Sequence, residues 1–224
     1  WEPIGDNFKQ SYHYGLAINS SNEVFIALYN SVYVLNESTD HWDCVVNDVF
    51  GGGVNALEID NQDHIWVGSE QGMYRSDDMG ATWEHHVEGM TNTYIQSISF
   101  LSNGSILAGV RSDIGYLSTD RGNTWDPIES SKLKSVLCAT ENDSGHIYVG
   151  TNGRGILRST DSGATWEDCD DALPNNFVDV IMAHPNGHVY AGTRGDGVYR
   201  SKILPPSFVE DRNQHERPIS FQLF

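Results

Sequence analysis

Arginines and carboxylates in short Gly-rich stretches are the residues of this 224-residue chain best suited to chemistry. Arg111, Arg154 and Arg194 recur at spacings of 43 and 40 residues. A guanidinium presents a planar fork of donors that grips a carboxylate in two parallel hydrogen bonds. Three such forks converging on one pocket would bind an acidic ligand. Each pairing with a carboxylate nearby is the plainer reading, because acidic residues outnumber basic ones 31 to 13. Asp113 and Asp196 share the stretches of Arg111 and Arg194, Asp179 lies at the entry to an inner strand, and two carboxyl groups about 5–10 Å apart across a sugar would suit glycoside hydrolysis. Only their location recommends them. No Gly-rich phosphate loop, zinc-ligand spacing or activated-nucleophile motif is found. The expectation is no cofactor, no metal and no assignable catalytic residue.

A repeat must position these side chains. The pattern S-x-D-x-G-x-T-W occurs three times, at Ser76–Trp83, Ser118–Trp125 and Ser159–Trp166. Trp1, Trp42, Trp83, Trp125 and Trp166 are spaced 41, 41, 42 and 41 apart. Between them lie short alternating runs bounded by Gly, Asn, Asp and Ser: Val54–Ile59, His64–Gly68, Gly72–Ser76 and Thr82–Val87 in one repeat, with counterparts in the others. Such runs read as strands and turns, and no stretch reads as helix. In the shared motif Gly80, Gly122 and Gly163 allow the positive φ of a tight reversal. Asp78, Asp120 and Asp161 are acceptors for backbone N–H groups left unpaired there. Trp83, Trp125 and Trp166 cover the turn with apolar area. All nine are assigned structural roles.

The motif resembles the Asp-box, or bacterial neuraminidase repeat, the turn between the outer two strands of a β-propeller blade. The resemblance implies an all-β propeller of four-stranded antiparallel blades, and a period near 40 fits it. Trp1–Ile4 has the sequence of a fourth strand and Gly197–Ser201 that of a third. The phase therefore predicts five blades closed by the N-terminal strand, with no unpaired edge. The innermost column Gly15, Ala56, Ser97, Cys138 and Val180 is small enough for a narrow axis. A piece of a six- to eight-bladed propeller is the competing architecture. Residues 1–204 are assigned to the propeller and 205–224 to a polar linker and tail.

The formal charge of −18, with four lysines, argues against nucleic acid and anionic membranes as partners. No apolar run is long enough to span a bilayer. Cys44, Cys138 and Cys169 fall too far apart in the repeat for bridges and are expected free. His64, His146 and His188 share one repeat position, so they diverge around a ring and cannot share a metal. The tail Pro218–Phe224 resembles the lead-in to the C-terminal sorting domain of type IX-secreted bacterial proteins, which implies a secreted or cell-surface protein.

Asp-box propellers carry ligands on the face opposite the Asp-boxes. On this chain that implies Tyr14, Asn55, Gln96, Arg111, Arg154, Asp179 and Arg194 as ligand-binding candidates. The sialidase Arg-Ile-Pro signature is absent, and no Tyr–Glu nucleophile pair can be assigned. Loops this short make a poor cleft for a xyloglucan-type glycosidase. The repeats also resemble receptor ectodomains and photosystem assembly factors, and Trp66-Val67-Gly68-Ser69-x-x-Gly72 resembles sensor propellers of two-component regulators. The expected function is a monomeric, non-enzymatic, secreted or surface binding module for a protein or glycan. A glycoside hydrolase or sialidase-like enzyme and a two-component sensor are the alternatives.

Overall fold

Short alternating apolar runs can bury one face only by pairing into sheets and stacking those sheets. The computed structural model describes residues 4, 15–128, 133–170, 173–202 and 221–223. In it, five antiparallel four-stranded sheets form, with no helix among the described residues. Blade 1 holds β1 (Gly15–Ile18), β2 (Val24–Leu28), β3 (Ser31–Asn36) and β4 (His41–Asn47). Blade 2 holds β5 (Val54–Ile59), β6 (Ile65–Ser69), β7 (Gly72–Ser76) and β8 (Glu84–His86). Blade 3 holds β9 (Ile95–Phe100), β10 (Ile106–Val110), β11 (Tyr116–Ser118) and β12 (Asp126–Pro127). Blade 4 holds β13 (Val136–Glu141), β14 (Ile147–Thr151), β15 (Ile156–Ser159) and β16 (Glu167–Asp168). Blade 5 holds β17 (Val178–Ala183), β18 (Val189–Thr193), β19 (Gly197–Ser201) and β20 (Phe221–Leu223). The all-β propeller of four-stranded blades read from the repeat is the fold observed.

Register explains how the blades interlock. The inner column pairs Gly15 with Ala27, Ala56 with Gly68, Ser97 with Gly109, Cys138 with Gly150 and Val180 with Gly192. In blades 2 to 5 the ladder shifts by one residue just before this column, leaving Asn55, Gln96, Leu137 and Asp179 as bulge residues. A bulge turns a side chain out of the ladder and bends the strand. The carbonyl before the bulge in blades 3, 4 and 5 is available sideways, and the preceding blade reaches it: Asn55 Nδ2 donates to Ile95 O (2.9 Å), Ser97 Oγ to Val136 O (3.1 Å) and Cys138 Sγ to Val178 O (3.7 Å). The glycines of the column admit that approach. A Cβ on Gly109 would lie 2.2 Å from Val136 O, and one on Gly68 2.6 Å from Ile95 Cγ2. The core sits between blades, with one apolar cluster at each junction: Phe25, Val32, Leu57 and Val67 between blades 1 and 2, for example, and Tyr148, Ile156, Ile181 and Ala191 between blades 4 and 5.

The outer place beside Gly197–Ser201 differs from the sequence expectation. Trp1–Ile4 was the strand assigned there, whereas Phe221–Leu223 occupies it, pairing Ser201 with Phe221 and Tyr199 with Leu223. Phe-Gln-Leu alternates as a half-buried strand does, and it lay hidden in the stretch assigned to the tail. Ile4 instead has its carbonyl beside Trp42 of blade 1, whose indole donates to it at 3.4 Å; Trp1, Glu2 and Pro3 lie outside the described residues. No helix among the described residues is long and apolar enough to cross a membrane.

Candidate functional site

The two edges of the propeller are built differently. On the Asp-box edge the serine, aspartate and threonine of the motif satisfy one another and the turn's backbone. Ser76 Oγ donates to Asp78 Oδ1 (2.9 Å) and accepts the Gly80 N–H (2.7 Å). Asp78 then takes the Thr82 N–H on Oδ1 (2.8 Å) and the Thr82 hydroxyl on Oδ2 (2.6 Å). Ser118, Asp120, Gly122 and Thr124 repeat this set in blade 3, and Ser159, Asp161, Gly163 and Thr165 in blade 4. Hydrogen bonds to the charged form favour it. The Thr82 hydroxyl leads in holding Asp78 below the usual carboxylate range, and the Thr165 hydroxyl does the same for Asp161. The Thr124 N–H, followed by its hydroxyl, pulls Asp120 down to about 2.

The positive φ falls on two consecutive residues in each turn, Met79–Gly80, Arg121–Gly122 and Ser162–Gly163. The glycine has a second task, which is to seat the turn on its neighbour. A Cβ on Gly80 would overlap Val45 of blade 1, and one on Gly122 would meet the Trp66 ring of blade 2 at 2.5 Å. Trp83 and Trp166 donate their indole N–H to the Gly80 and Gly163 carbonyls, at 3.0 and 2.9 Å. Trp125 departs from this: the Gly122 carbonyl accepts from His86 Nδ1 (2.9 Å), and the buried Trp125 Nε1 has no partner among the described residues. Because a carbonyl only accepts, His86 must carry its proton on Nδ1.

The opposite rim is uneven. Arg194 forks onto Asp179, Nη2 to Oδ1 at 2.5 Å and Nε to Oδ2 at 3.2 Å. Its Nη1 also reaches Asn152 Oδ1 (3.4 Å), and the guanidinium lies 5.6 Å over Phe177. Here the plain structural pairing holds. Arg111 behaves otherwise: it lies 5.1 Å over the Tyr94 ring and donates from Nη1 to Tyr94 Oη (3.0 Å), while Tyr94 donates its one proton toward Glu70 Oε1 (3.3 Å). Arg154 is exposed, anchored through its backbone N–H to Thr151 Oγ1 (3.0 Å). Among the described residues no carboxylate pairs with Arg111 or Arg154. The carboxylates of these loops are engaged elsewhere. Asp113 accepts from Asn92 Nδ2 (3.3 Å) and the Ile114 N–H (2.9 Å), and Asp196 accepts from Asn175 Nδ2.

The axis opens into a channel of about 280 Å³ lined by Asn55, Glu58, Gln96, Ser97, Ser99 and Cys138 among others, with none of the three arginines on its wall. Thus Asn55 and Gln96 come together at the channel, Asp179 and Arg194 come together on the rim, and Arg111 and Arg154 stand on separate loops. Tyr14 lies outside the described residues. Glu58 lines the channel, and the walls that desolvate it raise its carboxyl above the ordinary range. The sequence reading passed over Glu58, Asn92, Asn152 and Asn175. For Glu58 a signal existed, a charge in a column otherwise filled by Ala17, Ser99, Thr140 and Met182.

The thiols Cys44, Cys138 and Cys169 are free. Burial pushes Cys138 up to about 12 and raises Cys169 as well. His64 Nδ1 lies 2.9 Å from Asp60 Oδ2 and His188 Nδ1 2.7 Å from Ser201 O, each within its own blade.

With the geometry in place, known proteins can be compared. The chain is 31% identical over 103 residues to a xyloglucanase of Hypocrea jecorina, an alignment covering 42% of this chain and 12% of that enzyme. It therefore spans a small part of the curated relative. The structure of YCF48 bound to D1 peptide superposes with a TM-score of 0.65 at 14% identity, covering 86% of this chain and 66% of that one. The extracellular domain of a hybrid two component system from B. thetaiotaomicron superposes with a TM-score of 0.71 at 14% identity, covering 90% and 29%. At these identities the superpositions speak for the propeller fold alone. Residues 16–198, which hold four inner strands, all but the first residue of the fifth, and all three Asp-boxes, match the family described as photosynthesis system II assembly factor YCF48, and the chain belongs to that family.

Proposed function

We propose that the chain is a non-enzymatic protein-binding module that takes an acidic peptide segment on the rim opposite the Asp-boxes. One observation carries the reading: in a chain of charge −18, the guanidiniums of Arg111, which lies over the Tyr94 ring, and of Arg154, on a separate loop, pair with no carboxylate among the described residues. An unpaired guanidinium on a short loop offers bidentate capture of a carboxylate, and the Tyr94 ring offers apolar contact area beside it. The overall negative charge repels acidic chains at long range, so capture depends on these short-range contacts. That YCF48 has been seen bound to D1 peptide supports a protein partner within the family. Presentation of the module outside the cell or on its surface, as the tail resemblance implies, is part of the same proposal.

A fluorescent Glu-rich decapeptide with a free C-terminus tests it. Saturable binding that weakens with salt is expected, with loss of binding when Arg111, Arg154 and Arg194 are all replaced by alanine in a chain that still melts cooperatively. Equal binding by that variant, or no binding by the native chain, overturns the reading. The xyloglucanase relative favours one second reading, glycoside hydrolysis. Against it, Asp113, Asp179 and Asp196 are each committed to amide or guanidinium partners. Release of reducing sugar from xyloglucan by the purified chain would move the assignment to an enzyme.

A further inference from the structure

The rim opposite the Asp-boxes also carries a negative pole, between blades 2 and 3. Glu70 stands on the loop joining β6 to β7, and its backbone N–H donates to Gly53 O at 3.0 Å. Its side chain lies along Gly52 and Gly53, which have no side chains to displace it. A Cβ on Gly52 would lie 3.0 Å from Glu70 Cβ and 3.2 Å from Oε2. At its tip, Oε1 accepts the Tyr94 hydroxyl at 3.3 Å, and Tyr94 Oη accepts from Arg111 Nη1 at 3.0 Å. The backbones of both partners are fixed: the Tyr94 N–H donates to Asn92 Oδ1 (3.0 Å) and the Arg111 N–H to Tyr94 O (3.0 Å). Carboxylate, phenol and guanidinium therefore stand in a row on a rigid frame.

The two ends of the row do not pair. Among the described residues no cation pairs with Glu70 and no carboxylate with Arg111. The phenol between them keeps them apart. Its hydrogen bonds of 3.3 and 3.0 Å limit the separation to less than the ~6.6 Å between side chains two residues apart on one face of an extended chain. An extended peptide can thus set one side chain on each pole. Glu70 as a carboxylate only accepts, and Arg111 only donates. A peptide carboxylate on Arg111, followed two residues on by another, would bring like charges together at Glu70. A cation there meets an opposite charge. Tyr29, 59% exposed, adds to the same pole. Its Cε2 lies 3.2 Å, and Glu70 Oε1 3.4 Å, from the point where a Gly53 Cβ would sit. A cation held by Glu70 would have that ring beside it.

We infer that Glu70 sets the specificity of this rim, selecting an extended segment in which the carboxylate taken by Arg111 lies two residues from a cationic side chain. The inference rests on the peptide-binding reading and narrows it: the partner segment is of mixed charge rather than uniformly acidic. Complementary poles of this kind fix register and exclude wrong partners more than they add affinity. Tyr94 serves both poles. Its one proton goes to Glu70, so its oxygen faces Arg111 as an acceptor and leaves the other guanidinium donors for the ligand.

Fluorescence anisotropy at low ionic strength tests it with decapeptides of one composition in two orders. The first repeats Glu-Ser-Lys-Ser, which keeps every lysine two residues from a glutamate. The second repeats Glu-Lys-Ser-Ser, which never does. A third repeats Glu-Ser-Gln-Ser, and the Glu-rich decapeptide is the reference. The native chain is expected to bind the first about fivefold more tightly than the second or third, the size of one exposed ion pair with an aromatic ring beside it. In Glu70→Gln, confirmed folded by its thermal melt, the three are expected to bind alike. Equal affinity of the native chain for the two orders, or a preference that survives in Glu70→Gln, overturns this inference and leaves the peptide-binding reading standing if the Glu-rich decapeptide still binds. Failure of the native chain to bind any of the four overturns both.

Discussion

The Asp-box edge and the rim opposite it are made by the same blades, yet the Asp-box carboxylates are satisfied alike at each turn and the rim guanidiniums are not. At the Asp-boxes, Ser, Asp, Gly and Thr satisfy one another in the same way three times over. Across the rim, equivalent positions carry different partners: Arg194 holds Asp179, Arg111 lies on Tyr94, and Arg154 has no carboxylate among the described residues. Repetition with full internal satisfaction marks a folding device. Variation with donors left over is what the proposed peptide-binding rim would show.

The comparison can be broken most forcibly at the seat of an Asp-box. Gly122→Ala should destabilise the fold by about 2–4 kcal/mol, combining the left-handed backbone with overpacking against Trp66. Thermal melting would measure it, and a neutral result would mean the turn is not pressed on blade 2. Asp120→Ala should cost less, about 1–2 kcal/mol, because water partly replaces the lost acceptor at this accessible turn. Affinity for the acidic decapeptide, per folded molecule, should not change. Selective loss of binding at native stability would give the Asp-box a function after all.

Acid should act on the same edge. All three Asp-box carboxylates titrate below their unfolded values; for Asp120 the contribution is present above about pH 4 and is lost as pH falls toward about 2. Denaturant midpoints should fall through that window in the native chain and less so in Asp120→Ala. Equal slopes in both would remove Asp120 from the account. The smallest stability effect belongs to the rim: Arg111→Ala should move the melting temperature scarcely at all, within about 0.5 kcal/mol, while weakening peptide binding. A large drop in stability there would make Arg111 structural.

Much of this was legible in the residues. S-x-D-x-G-x-T-W states its own hydrogen bonds, since serine, acceptor-only aspartate and threonine at those offsets can reach little but each other. The strand runs follow from alternation, and the inner column Gly15, Ala56, Ser97, Cys138 and Val180 is confirmed by register. Other features depend on distant contacts that no local pattern encodes. Asn55, Gln96 and Asp179 were singled out by position, but that each is a bulge residue appears only once Val54, Ile95 and Val178 are paired with their partners. The pairing of Arg194 with Asp179 and the stacking of Arg111 on Tyr94 join residues of different strands and loops. Phe221–Leu223 was missed because no Asp-box and no period lead from Ser201 to it.

Hydrogen–deuterium exchange with and without the Glu-rich decapeptide tests the division of labour most directly. Protection is expected in the loops carrying Tyr94, Arg111 and Arg154, with exchange unchanged across Ser76–Trp83, Ser118–Trp125 and Ser159–Trp166. Protection centred on those three turns, with the arginine loops unaffected, would contradict it.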